Sequence, residues 1–177
     1  CAGILAHHRG LPVEHFIAAC NVNDVVPEYL RTEILQPKET VATISNAMDV
    51  GDPSNFVRIL ELFDKEFNQV KNKLSRYTID DEETLKTIKR VEKDYGYVLD
   101  PLGAVAFVAL EKYLTENDGK GFFLETAHPV KFPDSVEQAT GKSVEIPKSL
   151  EELMKQEKFT TQINPQYEEL KEFLLKK

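Results

Sequence analysis

The chain has 177 residues, 41% of them hydrophobic, and a formal net charge of −8, enough length and apolar content for one core of ordinary size. The acidic balance argues against a phosphate-backbone partner, because nucleic-acid binders gather Lys and Arg on one face. No apolar run approaches the roughly 18–20 residues that span a bilayer, no charged segment precedes an apolar one at the start, and the chain reads as soluble and cytoplasmic.

In chain order, Ala2 to Arg9 continues a helical pattern that Gly10 and Pro12 stop. Val13 to Cys20, with His15 inside it, is a short apolar run and the first predicted strand. Asn23-Asp24 can cap a helix through Leu30, Pro37 to Thr40 is loop, and Val41 to Ser45 is a second strand candidate. Pro53-Ser54-Asn55 then opens a long amphipathic helix whose Phe56, Ile59, Leu60, Phe63, Phe67 and Val70 recur at helical spacing and form a core stripe. The carboxylates of Asp80 to Glu83 sit at the first turn of the next helix, where the dipole favours them, and Leu85, Ile88 and Val91 make its apolar face. These acids read as a cap and not as a catalytic pair. Asp100-Pro101 opens a nearly uncharged helix, Gly103 to Leu114, predicted to be buried on several sides. Gly121 to Glu125 is the third strand candidate, Pro129 and Pro133 punctuate a structured loop, and Asp134 to Thr140 is helical. From Ser149 a charged amphipathic tail carries Leu153, Met154, Tyr167, Leu170 and Phe173. The expected division is a catalytic-domain portion, 1–147, with a helical tail, 148–177, packing on it.

Strands alternating with helices give an α/β class, but three short strands are fewer than a complete doubly wound sheet. The expectation is therefore a three-layer αβα arrangement with a short, mostly parallel sheet, incomplete as supplied and lacking an N-terminal half. Cys1 and Cys20 have no spacing for zinc or for a disulfide framework.

Ligands of α/β sheets bind outside the carboxyl ends of the strands, which directs attention to the loops after Val41–Ser45 and after Gly121–Glu125. Thr126 offers a hydroxyl that can hydrogen-bond a heteroaromatic nitrogen without a formal charge; the alternative is a strand-end cap. His128 could act as acid or base and Lys131 could bind a phosphate, unless both simply face solvent. Ser45, Asn46 and Asp49 surround Ala47-Met48, a small and an apolar residue that suit a flat ring, although Met48 equally suits a core gap. Ser54 and Asn55 read as helix caps, with Asn55 also a possible cleft residue. His7 and His8 are adjacent and do not make a metal clamp.

Three stretches resemble the threonine synthases, pyridoxal-phosphate enzymes of fold type II: Phe16 to Pro27, Val41 to Arg58, and Asp100 to Ala106 together with Glu125 to Pro133. The resemblance implies a lyase that uses pyridoxal 5'-phosphate to convert O-phospho-L-homoserine and water to L-threonine and phosphate. It implies that Thr126 faces the pyridine nitrogen and that Ala47 and Met48 pass beside the ring. The family's Gly-Asn-Phe-Gly-Asn phosphate loop and its cofactor-bearing lysine have no match here, so the chain is expected to be inactive alone and to need its N-terminal half. Two other readings stay open: a fold-type-II enzyme of the serine/threonine dehydratase kind, and a non-catalytic interaction domain.

Overall fold

Helix α1 (Ala2–His8) leads into strand β1 (Phe16–Cys20), and β1 pairs in parallel with β2 (Leu74–Thr78), Phe16 opposite Leu74 and Cys20 opposite Thr78. A parallel pair needs a long crossover. Here it contains α2 (Val25–Thr32), α3 (Val57–Leu62) and α4 (Phe67–Lys73). After β2 come α5 (Asp81–Tyr95), α6 (Pro101–Glu116) and α7 (Pro133–Thr140). This computed structural model describes residues 1–176. Cys1–Val144 forms one unit, and Glu145–Lys177 a second. The second unit holds α8 (Lys148–Met154) and α9 (Tyr167–Leu175), neither of which buries a side chain. No helix among the described residues is long and apolar enough to cross a membrane.

Three cores build the first unit. Ile4, Tyr29, Leu30, Phe56, Phe63, Val70 and Leu74 form the first, in which Tyr29 meets Phe56 and Phe67 edge-on at 5.3 and 5.5 Å between ring centres. Ile88, Val91, Leu99, Ala104 and Ala139 join α5, α6 and α7 in the second. Ile79, Val105 and Val108 make the third, with Ala19 and Met48 packed on it, so α6 backs directly onto the strands. Capping fixes the helix starts. Asp80 accepts from the Glu83 N–H at 2.8 Å, and Asp100 from Leu102 at 2.8 Å with Pro101 at the first helical position. Gly96 and Gly141 end α5 and α7 in the left-handed region.

The α/β class and the short parallel sheet agree with expectation, but three element assignments do not. Val41–Ser45 and Gly121–Glu125 are not strands; neither run enters a ladder among the described residues. The strand that does pair, Leu74–Thr78, has no counterpart among the expected elements, because Ser75, Arg76 and Thr78 give it no apolar run. The long helix from Asn55 is two helices. Asp64 (φ 51°) and Lys65 (φ 62°) adopt left-handed backbone and break it, while Phe63 and Phe67, four apart, both still reach the first core. The periodicity therefore survives the break and conceals it.

That break makes a prediction of opposite sign to a continuous helix. Lys65→Gly relieves the left-handed strain and should raise the unfolding free energy by roughly 0.5–1 kcal/mol in urea titrations. Glycine inside an unbroken helix would instead cost about 1 kcal/mol.

Candidate functional site

Asn21 directly follows the last residue of β1 and is buried. Its carboxamide nitrogen lies 2.9 Å from Thr43 Oγ1, 2.8 Å from Asp49 Oδ1 and 3.1 Å from Ser45 Oγ. Its oxygen accepts from the backbone N–H and the carboxamide of Asn23 at 2.9 and 3.0 Å. Asn23 in turn donates to the Val41 carbonyl and accepts from the Val41 N–H, both at 2.8 Å. That pair of bonds is what a neighbouring strand would supply, so one side chain stands in for a strand beside Val41. Asp49 completes the arrangement, accepting from the Thr43 N–H at 2.9 Å and the Thr43 hydroxyl at 2.7 Å. Lys38 N–H donates to the Gly51 carbonyl at 2.8 Å, and a Cβ at Gly51 would lie 2.1 Å from Lys38 O. The loop closes only with glycine there.

The network places the predicted residues of this loop unevenly. Ser45 is fully buried and serves, with Asp49, as internal scaffolding. The short 3₁₀ turn Asn46–Met48 that they support presents Asn46 and Ala47 to solvent. Met48 is half-buried and packs on Ile79, Val105 and Val108. Asn55 is exposed and makes no side-chain cap for α3; it lines an apolar cavity of ≈280 Å³ together with Ile4, Phe16, Ala18 and Phe56. Beside that cavity the Cys20 thiol is pushed up to about 12 by burial and then by Asp24, which keeps it protonated and unreactive near neutral pH.

The second loop is anchored at Glu125. Its Oε1 accepts from the Asp100 N–H at 3.3 Å, and its carboxyl occupies the space where a Cβ of Gly103 would be, 2.1 Å from Oε2. Burial first, and then the Asp100 carboxyl, push Glu125 up to about 7. Thr126 follows with its side chain exposed and engaged in no hydrogen bond among the described residues. His128 Nδ1 accepts from the Val130 N–H at 3.2 Å and so caps the 3₁₀ turn Pro129–Lys131, while Lys131 faces solvent.

Both loops are fastened to one helix. Met48 packs on the cluster that holds Val105 and Val108, and Glu125 on Asp100 and Gly103, sites separated by about 3–12 Å along the axis of α6 at 1.5 Å per residue. Gly103 and Val105 are two residues apart and face nearly opposite sides of the helix, so the Ala47 turn and the Thr126 loop attach on either side of the amino-terminal half of α6. Sequence reasoning selected these loops, but by a strand-end rule that neither loop obeys. It read Asp100 only as the opening of a helix and did not pair it with Glu125. The signal was the small Gly103 on the first turn of an otherwise bulky helix.

Comparison with known proteins shows what this chain is similar to. The family described as "Threonine synthase, C-terminal" matches residues 103–174. Threonine synthase of Escherichia coli K12 is 48% identical over 152 residues, covering 85% of this chain and 35% of that protein. The threonine synthase of Buchnera aphidicola from Acyrthosiphon pisum is 42% identical, covering 99% of this chain and 40% of its own length. Among solved structures, threonine synthase from Escherichia coli superposes with a TM-score of 0.86 at 42% identity, over 98% of this chain and 40% of that one. The pyridoxal-phosphate-bound threonine synthase from Brucella melitensis gives 0.80 at 27% identity, over 98% and 42%. The chain thus spans about two-fifths of the relatives it matches. On these similarities, residues 103–174 match the threonine synthase carboxyl-terminal family, and nearly the whole chain resembles about two-fifths of the length of the threonine synthases.

Proposed function

We propose that this chain is the carboxyl-terminal part of a threonine synthase, acting on O-phospho-L-homoserine and water to give L-threonine and phosphate with pyridoxal 5'-phosphate. The observation that carries the reading is the similarity over 98% of this chain to the pyridoxal-phosphate-bound threonine synthase from Brucella melitensis, with exposed Ala47 and Thr126 on two loops anchored at the amino-terminal half of α6. The donor set fits the cofactor. Thr126 offers a neutral, exposed hydroxyl, which suits a pyridine nitrogen that is to remain uncharged. Exposed Ala47 has no bulk to obstruct a flat ring.

When bound, pyridoxal phosphate supplies the electron-withdrawing ring that stabilises negative charge developing on the substrate. Thr126 would hold the ring nitrogen through Oγ1. Donating a hydrogen bond without a full positive charge, it moderates that withdrawal and favours elimination and replacement. Ala47 would form one wall beside the ring, backed by Met48 on the core. Asn46 on the exposed turn, and His128 and Lys131 beyond Thr126, remain cleft candidates. No lysine of this chain matches the family's cofactor-bearing one, so the lysine and the phosphate loop would come from the N-terminal half. On this reading residues 1–177 alone do not form threonine.

In the full-length protein containing this chain, Thr126→Val should lower kcat roughly 2- to 10-fold, as expected for losing a neutral hydrogen bond worth about 0.5–1.5 kcal/mol. It should also shift the visible absorption of the bound cofactor, whereas Thr126→Ser should preserve both. A valine variant with wild-type rate and spectrum would refute the assignment. Asn23→Ala removes both hydrogen bonds to the Val41 backbone, whose freed groups at this exposed residue turn to water, and should cost about 1–3 kcal/mol in urea unfolding. Limited proteolysis should then cut between Val41 and Asp52 faster than in wild type.

A further inference from the structure

Asp100 is buried and Glu125 half-buried, and the proposed reaction has no use for either carboxyl. Asp100 Oδ1 accepts from the N–H groups of Leu102 and Gly103 at 2.8 and 3.2 Å, capping the 16-residue helix α6, and Glu125 Oε1 accepts from the Asp100 N–H at 3.3 Å. The remaining oxygen of each, Asp100 Oδ2 and Glu125 Oε2, is sealed from solvent and has no partner among the described residues. Two acceptor-only oxygens buried side by side are unfavourable, since each loses its water and gains no donor. One proton between them resolves both.

Among the described residues, the two carboxyls face each other and no cation. No Lys or Arg forms an ion pair with either carboxyl among the described residues. The titratable neighbour is Tyr97 of the α5–α6 connection, whose hydroxyl is raised by its own burial, then by Glu125 and Asp100. His128 is occupied in capping its own turn. From α5 and α7 the cluster at this end receives apolar Ile88, Val91 and Ala139. Gly103 makes the space: a methyl there would lie 2.1 Å from Glu125 Oε2 and expel the carboxyl.

We infer that Glu125 Oε2 carries a proton donated to Asp100 Oδ2, and that this one-proton carboxyl pair latches residue 125 to the first turn of α6 and thereby positions Thr126. The inference rests on Thr126 as a cofactor-binding residue; Glu125 acts through it and touches no reactant. The charge argument runs in the same direction. The α6 amino terminus favours the anion on Asp100, while burial and that neighbouring carboxyl hold Glu125 at about 7. A carboxyl raised above its unfolded value contributes stability that is complete below the unfolded pKa and is lost as pH rises through the folded one. The latch's contribution to stability therefore falls between about 4.5 and about 7, and the latch itself opens in the folded protein as pH passes about 7.

The test uses the full-length protein reconstituted with pyridoxal phosphate, wild type against Glu125→Gln, across that pH interval. In wild type the thermal midpoint should fall as pH rises toward about 7, and cofactor affinity, read by its visible absorption, should weaken as pH passes about 7. Glutamine donates an N–H to Asp100 at every pH, so both slopes should flatten while cofactor still binds. Unchanged slopes in the variant overturn the latch. A flattened midpoint slope with cofactor affinity still pH-dependent overturns the positioning role. If Glu125→Gln does not fold, the wild-type infrared band of a protonated carboxyl decides: present below pH ~6 and gone above ~8 supports the pair, and absence throughout overturns it. Failure of the Thr126 reading is separately visible, because Thr126→Val would leave the cofactor spectrum unmoved while the Glu125 slopes persist.

Discussion

The requirement that every buried backbone N–H and C=O find a partner governs how this chain builds its loops. Beyond the β1–β2 pair, the chain has no strand to lay beside Val41 or Glu125 among the described residues. Side chains supply what a ladder would. Asn23 gives Val41 both a donor and an acceptor, Asp49 receives the Thr43 N–H, and Glu125 receives the N–H of Asp100. Because those carboxamides and carboxyls are short and held from several sides, the loops they pin are fixed in place without being regular structure. Irregular backbone with rigid anchors is the arrangement in which exposed groups such as Ala47 and Thr126 can keep a fixed direction.

Legibility in the sequence followed how local each determinant is. Helices α5, α6 and α7 could be read directly, since Asp80, Asp100-Pro101 and Pro133 mark their starts and Gly96 and Gly141 close two of them within a turn of the signal. The break at Asp64-Lys65 could not be read, because its cost sits in backbone dihedrals while the spacing of Phe63 and Phe67 continues unbroken. Strands suffered most. Leu74–Thr78 is a strand only because Phe16–Cys20, nearly sixty residues earlier, lies beside it. Val41–Ser45 has strand-like composition but meets a side chain instead of a backbone neighbour.

The candidate site was legible in its strings and not in its supports. The Ser45–Asp49 and Glu125–Pro133 runs identify themselves by unusual local composition, whereas the residues that aim them come from elsewhere: Asn21 and Asn23 from the end of β1, Asp100 and Gly103 from α6. A long-range polar contact leaves no periodic trace. What it does leave is a residue too small for its position. Gly51 under Lys38 and Gly103 under Glu125 are such traces, each marking a close approach by another part of the chain.

These traces bear on how the site is divided. Both loops are held entirely from within Cys1–Val144, through α6 and the end of β1, so their geometry does not wait on any other segment for its internal hydrogen bonds. A lysine and a phosphate loop contributed from elsewhere would then meet a wall already set, and binding would lose little entropy in ordering it. The cost falls on the anchors. A buried acid pair beside a helix terminus is tolerable only in one protonation state, so the rigidity that prepares the wall also ties it to pH.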